Sequence, residues 1–226
     1  MPYVVIAVIV IILIYLKYLN SPKTKGIRGE KQVNRVLKRL ALEHGGIELT
    51  DFMLEDQKSS SQIDNILLTQ KALYVIEVKN YRGMIFGSKD QINWTVTIKT
   101  VYTNRSRSGR RYKKAHISKN AFYNPIKQNQ THIRKIQNLI PETRDIPVIN
   151  LVVFGNHAIL SNLKQIPEVV SIHDLRRAIK NHEASFDDTI DVENQIEIVD
   201  ALHYHNVVDK RARRDHVLRI KEKHGK

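Results

Sequence analysis

The chain has 226 residues, a formal net charge of +14, a pI near 9.9 and no cysteine. That length supports one domain with appendages, and the missing thiols exclude disulfides, thiolate catalysis and cysteine-ligated zinc. The charge points to anionic partners, nucleic acid or anionic lipid, and says nothing about fold.

Residues 3–16 form an uninterrupted apolar run, followed by Lys17, Tyr18 and Leu19. As a helix, residues 3–19 would span about 25 Å, enough for a lipid bilayer if Lys17 snorkels. No basic side chain precedes the run and no small-residue cleavage site follows it, so a retained transmembrane anchor over residues 1–20 is favoured over a signal peptide. Lys17, Lys23, Lys25 and Arg28 lie on its C-terminal side. The positive-inside rule then predicts a single-pass protein of the cell membrane, with its body on the cytoplasmic side. Asn20-Ser21-Pro22 ends the anchor, and residues 21–25 read as a short linker.

The body reads as mixed α/β. Val33, Val36, Leu37, Leu40 and Ala41 recur at helical spacing over 26–44, closed by Gly45-Gly46. Strands are expected near 47–54, 61–69, 72–79 and 91–101. Residues 99–119 are a basic insert without an acidic residue, its tip suggested by Ser106, Ser108 and Gly109. Arg105, Arg107, Arg110, Arg111, Lys113 and Lys114 are its candidate nucleic-acid contacts, suited to phosphates rather than to sequence. A solvated loop, or one held to anionic lipid, has the same composition. Trp94 and Tyr102 could stack on bases, although aromatics on a strand more often fill a core. Asn124-Pro125 opens a helix through about 139, and 147–154 is a buried-type strand bounded by Gly155. Residues 161–226 read as a helical extension, with helices at 171–182 and from Asp191; the basic tail from Asp209 would prolong the second. The ten histidines, His132 among them, show no zinc spacing and read as surface or satisfied residues.

The chemistry concentrates between Gln62 and Lys79. Two β-rich runs, 62–68 and 72–79, flank a polar turn centred between Gln70 and Lys71. Pairing about that centre puts Asp64 opposite Glu77, with opposed Cβ atoms roughly 4.5–5.5 Å apart. Strand alternation places Glu77 and Lys79 on one face and Ile76 and Val78 on the other. An exposed strand face carrying solvated charges would look the same. The density of apolar neighbours argues instead for a central strand pair, where charges are costly unless used. Two facing carboxylates repel unless neutralised, and a hard divalent cation suits their oxygens.

At these residues the chain resembles the PD-(D/E)xK nucleases, and residues 26–140 resemble the nuclease-related domain (NERD) family more closely. The resemblance rests on Gly26-Ile27-Arg28-Gly29-Glu30, Gln62-Ile63-Asp64 and Ile76-Glu77-Val78-Lys79-Asn80, continued by Gly83, Trp94 and Asn124-Pro125-Ile126-Lys127-Gln128. Ile63 replaces the proline of the motif, and Asn65 stands where a histidine is expected. The resemblance implies a restriction-endonuclease-like core: a central mixed sheet flanked by helices, in the order helix, three strands, helix, strand, over residues 26–160. It implies that Asp64, Glu77 and the backbone carbonyl of Val78 bind Mg²⁺ or Mn²⁺. Lys79 would orient the attacking water, with Glu30 and Gln128 in support. The expected protein is a membrane-anchored nuclease hydrolysing DNA phosphodiesters, in DNA processing or defence, and a homodimer would suit double-strand cutting. A non-catalytic nucleic-acid-binding module and a scaffold on anionic lipid are the alternatives.

Overall fold

The computed structural model of the protein describes residues 22–55, 60–107 and 109–209. The expected anchor and its bilayer-contacting residues 3–19, and the basic tail from Lys210, lie outside them. Among the described residues no helix is long and apolar enough to cross a membrane.

Helix α1 (Pro22–Glu43) opens on proline, whose missing N–H costs nothing in a first turn. Residues 22–25, expected as linker, therefore belong to the helix. Strands β1 (Ile47–Glu55), β2 (Ser60–Leu68) and β3 (Leu73–Lys79) follow as an antiparallel meander. Next come β4 (Gly83–Phe86), β5 (Asn93–Arg105), β6 (Arg111–Tyr123) and α2 (Pro125–Leu139). The chain closes with β7 (Val148–Phe154), β8 (Ala158–Ile159), β9 (Val169–Ser171), α3 (Leu175–Glu183) and α4 (Val192–His205). The central sheet has the order β1-β2-β3-β7-β9, with β7 parallel to both neighbours; a second sheet runs β6-β5-β4-β8.

Alternation along β3 splits its side chains between two layers. Tyr74, Ile76 and Val78 pack under α1, against Val33, Leu37 and Leu40. Leu73 and Val75 lie on the other side, with Ile133 and Ile136 of α2. Glu77 and Lys79 continue that second face. A third cluster joins the small sheet to the large one: Trp94 is fully buried and stacks on Phe154 at 6.4 Å, so it serves the core and not base stacking.

The region after residue 160 departs from the helical extension expected. β9 adds a fifth strand to the central sheet, and Ile198 and Leu202 of α4 enter the same core as Ile133 and Ile136. α4 also stops at His205 and does not run on into the tail. Asn206 caps it, its Oδ1 accepting the Met53 N–H at 3.2 Å, and the Val207 N–H donates to the Met53 carbonyl at 2.8 Å. The open edge of β1 thus offers the chain better hydrogen bonds than another helical turn would.

Asn124 joins three parts of the fold. It is fully buried, its Oδ1 accepts the Ile126 N–H that α2 leaves unpaired, and its Nδ2 reaches the carbonyls of Ser88, Lys89 and Gln91 at 3.2, 3.0 and 2.7 Å. Asn124→Ala removes the cap and strands buried acceptors, so it should cost about 2–3 kcal/mol. Urea unfolding should show this as a lower midpoint at unchanged slope.

Candidate active site

Pairing of β2 with β3 runs from Leu68↔Leu73 to Asn65↔Ile76, the register expected from a turn centred between Gln70 and Lys71. One further step would set Asp64 opposite Glu77. There the ladder gives way: Asp64 Oδ2 accepts the Val78 N–H at 2.8 Å, in place of a main-chain carbonyl. The Lys79 carbonyl is taken by the Gly155 N–H on the β7 side, at 3.0 Å. Its neighbour Val78 accordingly directs both N–H and C=O toward β2 and Asp64.

Glu77 is 2 % exposed, and its Oε1 receives Lys79 Nζ at 2.6 Å. The same ammonium donates to Gln128 Oε1 at 3.1 Å. α2 is fixed over this pair by Asn129, whose Nδ2 donates to the Val75 carbonyl at 2.6 Å and to Asn150 Oδ1 at 2.8 Å. On the neighbouring turn, buried His132 brings Nε2 to 3.7 Å from Glu77 Oε2. That distance is too long for a hydrogen bond, and Glu77 Oε2 and both His132 ring nitrogens are buried without a hydrogen-bond partner. The sequence reading placed His132 among satisfied or surface histidines, and the packing of α2 overturns that. Its i+4 spacing from Gln128, one helical turn on the same face, was the available signal.

Glu30 reaches the site from the opposite layer. α1 crosses the end of β3 so closely that a Cβ on Gly29 would fall 2.8 Å from Asn80 Cβ, which demands glycine there. Glu30 itself lies exposed at the rim. Burial, Asp51 and Glu77 raise its pKa, and Lys79 opposes them. Asp51, not anticipated as a site residue, lies in β1 between the pairs Thr50↔Asn65 and Phe52↔Ile63, at φ 49°. Asn65, in the position where a histidine was expected, is buried on the α1 side with its Nδ2 on Asn34 Oδ1 at 2.7 Å, away from Asp64.

The cluster is electrically unbalanced. Burial raises the Asp64 carboxyl to about 8, Glu77 adds repulsion, and the Val78 N–H and Lys79 only partly oppose them. Burial would likewise raise Glu77, but Lys79 and His132 hold it below the usual range. Lys79 loses charge stability through burial and regains more from Glu77 and Asp64, so its pKa is raised. Were Glu30, Asp64 and Glu77 all ionised, their charge would exceed that of the one ammonium, an excess that a divalent cation would relieve. Asp64, Glu77 and the Val78 carbonyl are the oxygens here that could take a hard divalent cation such as Mg²⁺ or Mn²⁺. Among the described residues no group of three or more histidine, cysteine or acidic side chains is placed to hold a metal ion, so a cation here would rest on two side chains and a backbone carbonyl. Such a site would leave positions for water and a phosphate.

The six basic residues of the insert are not part of this cluster. Arg105, Arg111, Lys113 and Lys114 lie on the outer half of the β5–β6 hairpin, with Arg107 and Arg110 in its turn, all exposed.

With the Asp64 pKa raised, the folded protein holds a proton that the unfolded chain releases above about pH 4. The stabilisation is full below that pH and is lost as pH rises through about 8. In EDTA, Tm should fall across this window more steeply for wild type than for Asp64→Asn. Mg²⁺ competes with the proton, so its stabilising effect should grow toward pH 8 and be largely lost in the variant. An equal Mg²⁺ effect in both proteins would remove Asp64 from the metal site.

Residues 25–155 match the family described as Nuclease-related domain, NERD. A Bacillus anthracis protein described as uncharacterized is 27 % identical over 215 residues, covering 92 % of this chain and 89 % of its own. No solved structure matches the chain. The matched segment spans more than half of the chain and contains Glu30, Asp64, Glu77, Lys79 and Gln128, and the protein belongs to the nuclease-related domain family.

Proposed function

We propose that the protein is a divalent-metal-dependent nuclease that hydrolyses DNA phosphodiester bonds at the Asp64–Glu77–Lys79 centre. The observation that carries this reading is a pair of part-buried and buried carboxylates on adjoining central strands, short of positive charge, beside a lysine held in place from two sides. A binding module has no use for so costly an arrangement.

Asp64, Glu77 and the Val78 carbonyl would hold Mg²⁺ or Mn²⁺, which supplies charge to the phosphate and an activated water. Lys79 keeps its proton, because Glu77 and Asp64 outweigh the effect of burial. It therefore acts as a donor, orienting the water or stabilising charge on the phosphate, and not as a base. Gln128 fixes the ammonium through Oε1. Glu30, at the exposed rim with its pKa raised, is placed to exchange protons between the site and solvent. The apolar run 3–19 would anchor this body to the cytoplasmic face of the cell membrane, and pairing of two copies would serve double-strand cutting.

The full chain should nick supercoiled plasmid in Mg²⁺ or Mn²⁺ and not in EDTA. Glu77→Ala and Lys79→Ala should each lower the rate by at least about a hundredfold, on the scale of losing one transition-state contact. Gln128→Ala, which acts through Lys79, should cost about tenfold. Retained cleavage by Glu77→Ala would overturn the assignment. DNA binding without turnover by wild type would leave a nucleic-acid-binding module, and binding to anionic vesicles alone would leave the lipid scaffold.

A further inference from the structure

The β5–β6 hairpin is longer than the sheet needs. Its pairs run from Asn93↔Tyr123 to Arg105↔Arg111, yet only the root is covered, where Trp94 and Val96 are buried. From Lys99 outward it is a bare two-stranded ribbon, whose seven-residue arm reaches about 24 Å. Val101 is 53 % and Ile117 57 % exposed there, and Tyr102 and Tyr112 are also exposed. Two-stranded ribbons are marginal alone in water, and this one leaves apolar side chains uncovered.

The faces of the arm differ. Opposed residues in an antiparallel ladder share a face, which puts Lys99, Arg105, Arg111 and Lys113 with Val101 and Ile117 on one side. The other side carries Thr100, Tyr102, Asn104, Tyr112, Lys114 and His116, all able to form hydrogen bonds. Charge is equally one-sided along the chain: from residue 91 to 141 there are eleven Lys and Arg residues and no Asp or Glu.

We infer that this ribbon enters the major groove of double-stranded DNA. A major groove about 12 Å wide and 8.5 Å deep admits a two-stranded ribbon. Basic side chains on one face and at the tip meet the phosphate walls, and the hydrogen-bonding face meets base edges. The other polyanions fit less well. The major groove of an RNA duplex is deep and narrow, and side chains do not read it. Single strands are tracked by positively charged grooves, whereas this element projects. A lipid surface would call for a broad apolar face, and the arm presents Val101 and Ile117 between charges. β6 passes through Asn124 directly into α2, which carries Gln128, so engagement of the groove is transmitted by rigid elements to the catalytic end of the sheet.

The inference deepens the nuclease reading and rests on it only for the phosphodiester that is cut. Binding is therefore measured without metal. The full chain in EDTA would be titrated, by fluorescence anisotropy, into a labelled DNA duplex of about two helical turns. Parallel titrations would use the single strand, an RNA duplex of the same sequence, and phosphatidylglycerol vesicles. The DNA duplex should bind at least about tenfold more tightly than the single strand or the RNA duplex. Vesicles should be bound through the apolar run 3–19, and so regardless of the charge on the ribbon. Replacing cytosine by glucosylated hydroxymethylcytosine, which fills the major groove, should abolish that preference, whereas a minor-groove ligand such as netropsin should not. Neutralising Arg105, Arg111 and Lys113 together to Gln should weaken duplex binding about tenfold or more and flatten the dependence of log K on log salt by about three. The same change at exposed Arg35, Lys38 and Arg39 of α1 should do neither. Equal binding of single strand or RNA, vesicle binding that is lost in the ribbon variant, or wild-type DNA affinity in that variant would each overturn the inference. Failure of plasmid cleavage in Mg²⁺ alone would overturn the nuclease reading and leave this one standing.

Discussion

Glu77 and Lys79 lie on a central strand, on the face that α2 covers, and much of the molecule is arranged around keeping those two charges in a place with little water. Desolvating an ion costs several kcal/mol, and the attraction between partners repays it only where the geometry is good and further hydrogen bonds are made. Here the carboxylate and ammonium are 2.6 Å apart and Gln128 takes a second proton of the lysine. Holding that geometry requires α2 to lie in one place. Asn129 ensures this by binding main-chain and side-chain oxygens on β3 and β7 rather than another surface group. The helix is thus located by the sheet it covers, and Gln128 and His132 inherit that precision.

The meander supplies the second half of the site by failing to pair. Beyond Asn65↔Ile76 the ladder between β2 and β3 is replaced by a side chain, with Asp64 accepting the Val78 N–H. That substitution brings a carboxylate beside Glu77, on the side of β3 to which the Val78 carbonyl is directed. The cost is a carboxyl that prefers to stay protonated well above its ordinary range. Glu77 Oε2 and the His132 nitrogens, which face each other without a hydrogen bond, add to it. These costs gather at one point of the sheet, as expected where chemistry and not packing sets the residue types.

The peripheral parts share this core instead of hanging from it. The ribbon is rooted through Trp94 on Phe154, the residue that pairs with Lys79 in the sheet. The C-terminal region contributes β9 to the same sheet and α4 to the same apolar layer as α2. A ligand held by the outer ribbon and a phosphodiester at Lys79 would therefore be referred to one rigid frame.

What the sequence determined by itself was local and periodic. The turn between Gln70 and Lys71 and the alternation around it fixed the β2–β3 register, and with it the proximity of Asp64 to Glu77, because a strand has only two faces and a one-residue slip would bury the wrong one. The spacing of Val33, Leu37 and Leu40, one helical face, and the cap at Asn124 likewise fixed α1 and the start of α2. What the sequence left open depended on which distant element covers which. The i+4 spacing of His132 from Gln128 marks a shared helix face and not burial; only α2 crossing β3 decides that. For Trp94 strand position favoured the core over base stacking, and Phe154 stacked against it decides the matter. The short run Val169–Ser171 carries no strand period, and it is a strand because β7 offers an open edge there. Tertiary structure alone decided these, since burial and edge pairing are properties of neighbours brought together from far along the chain.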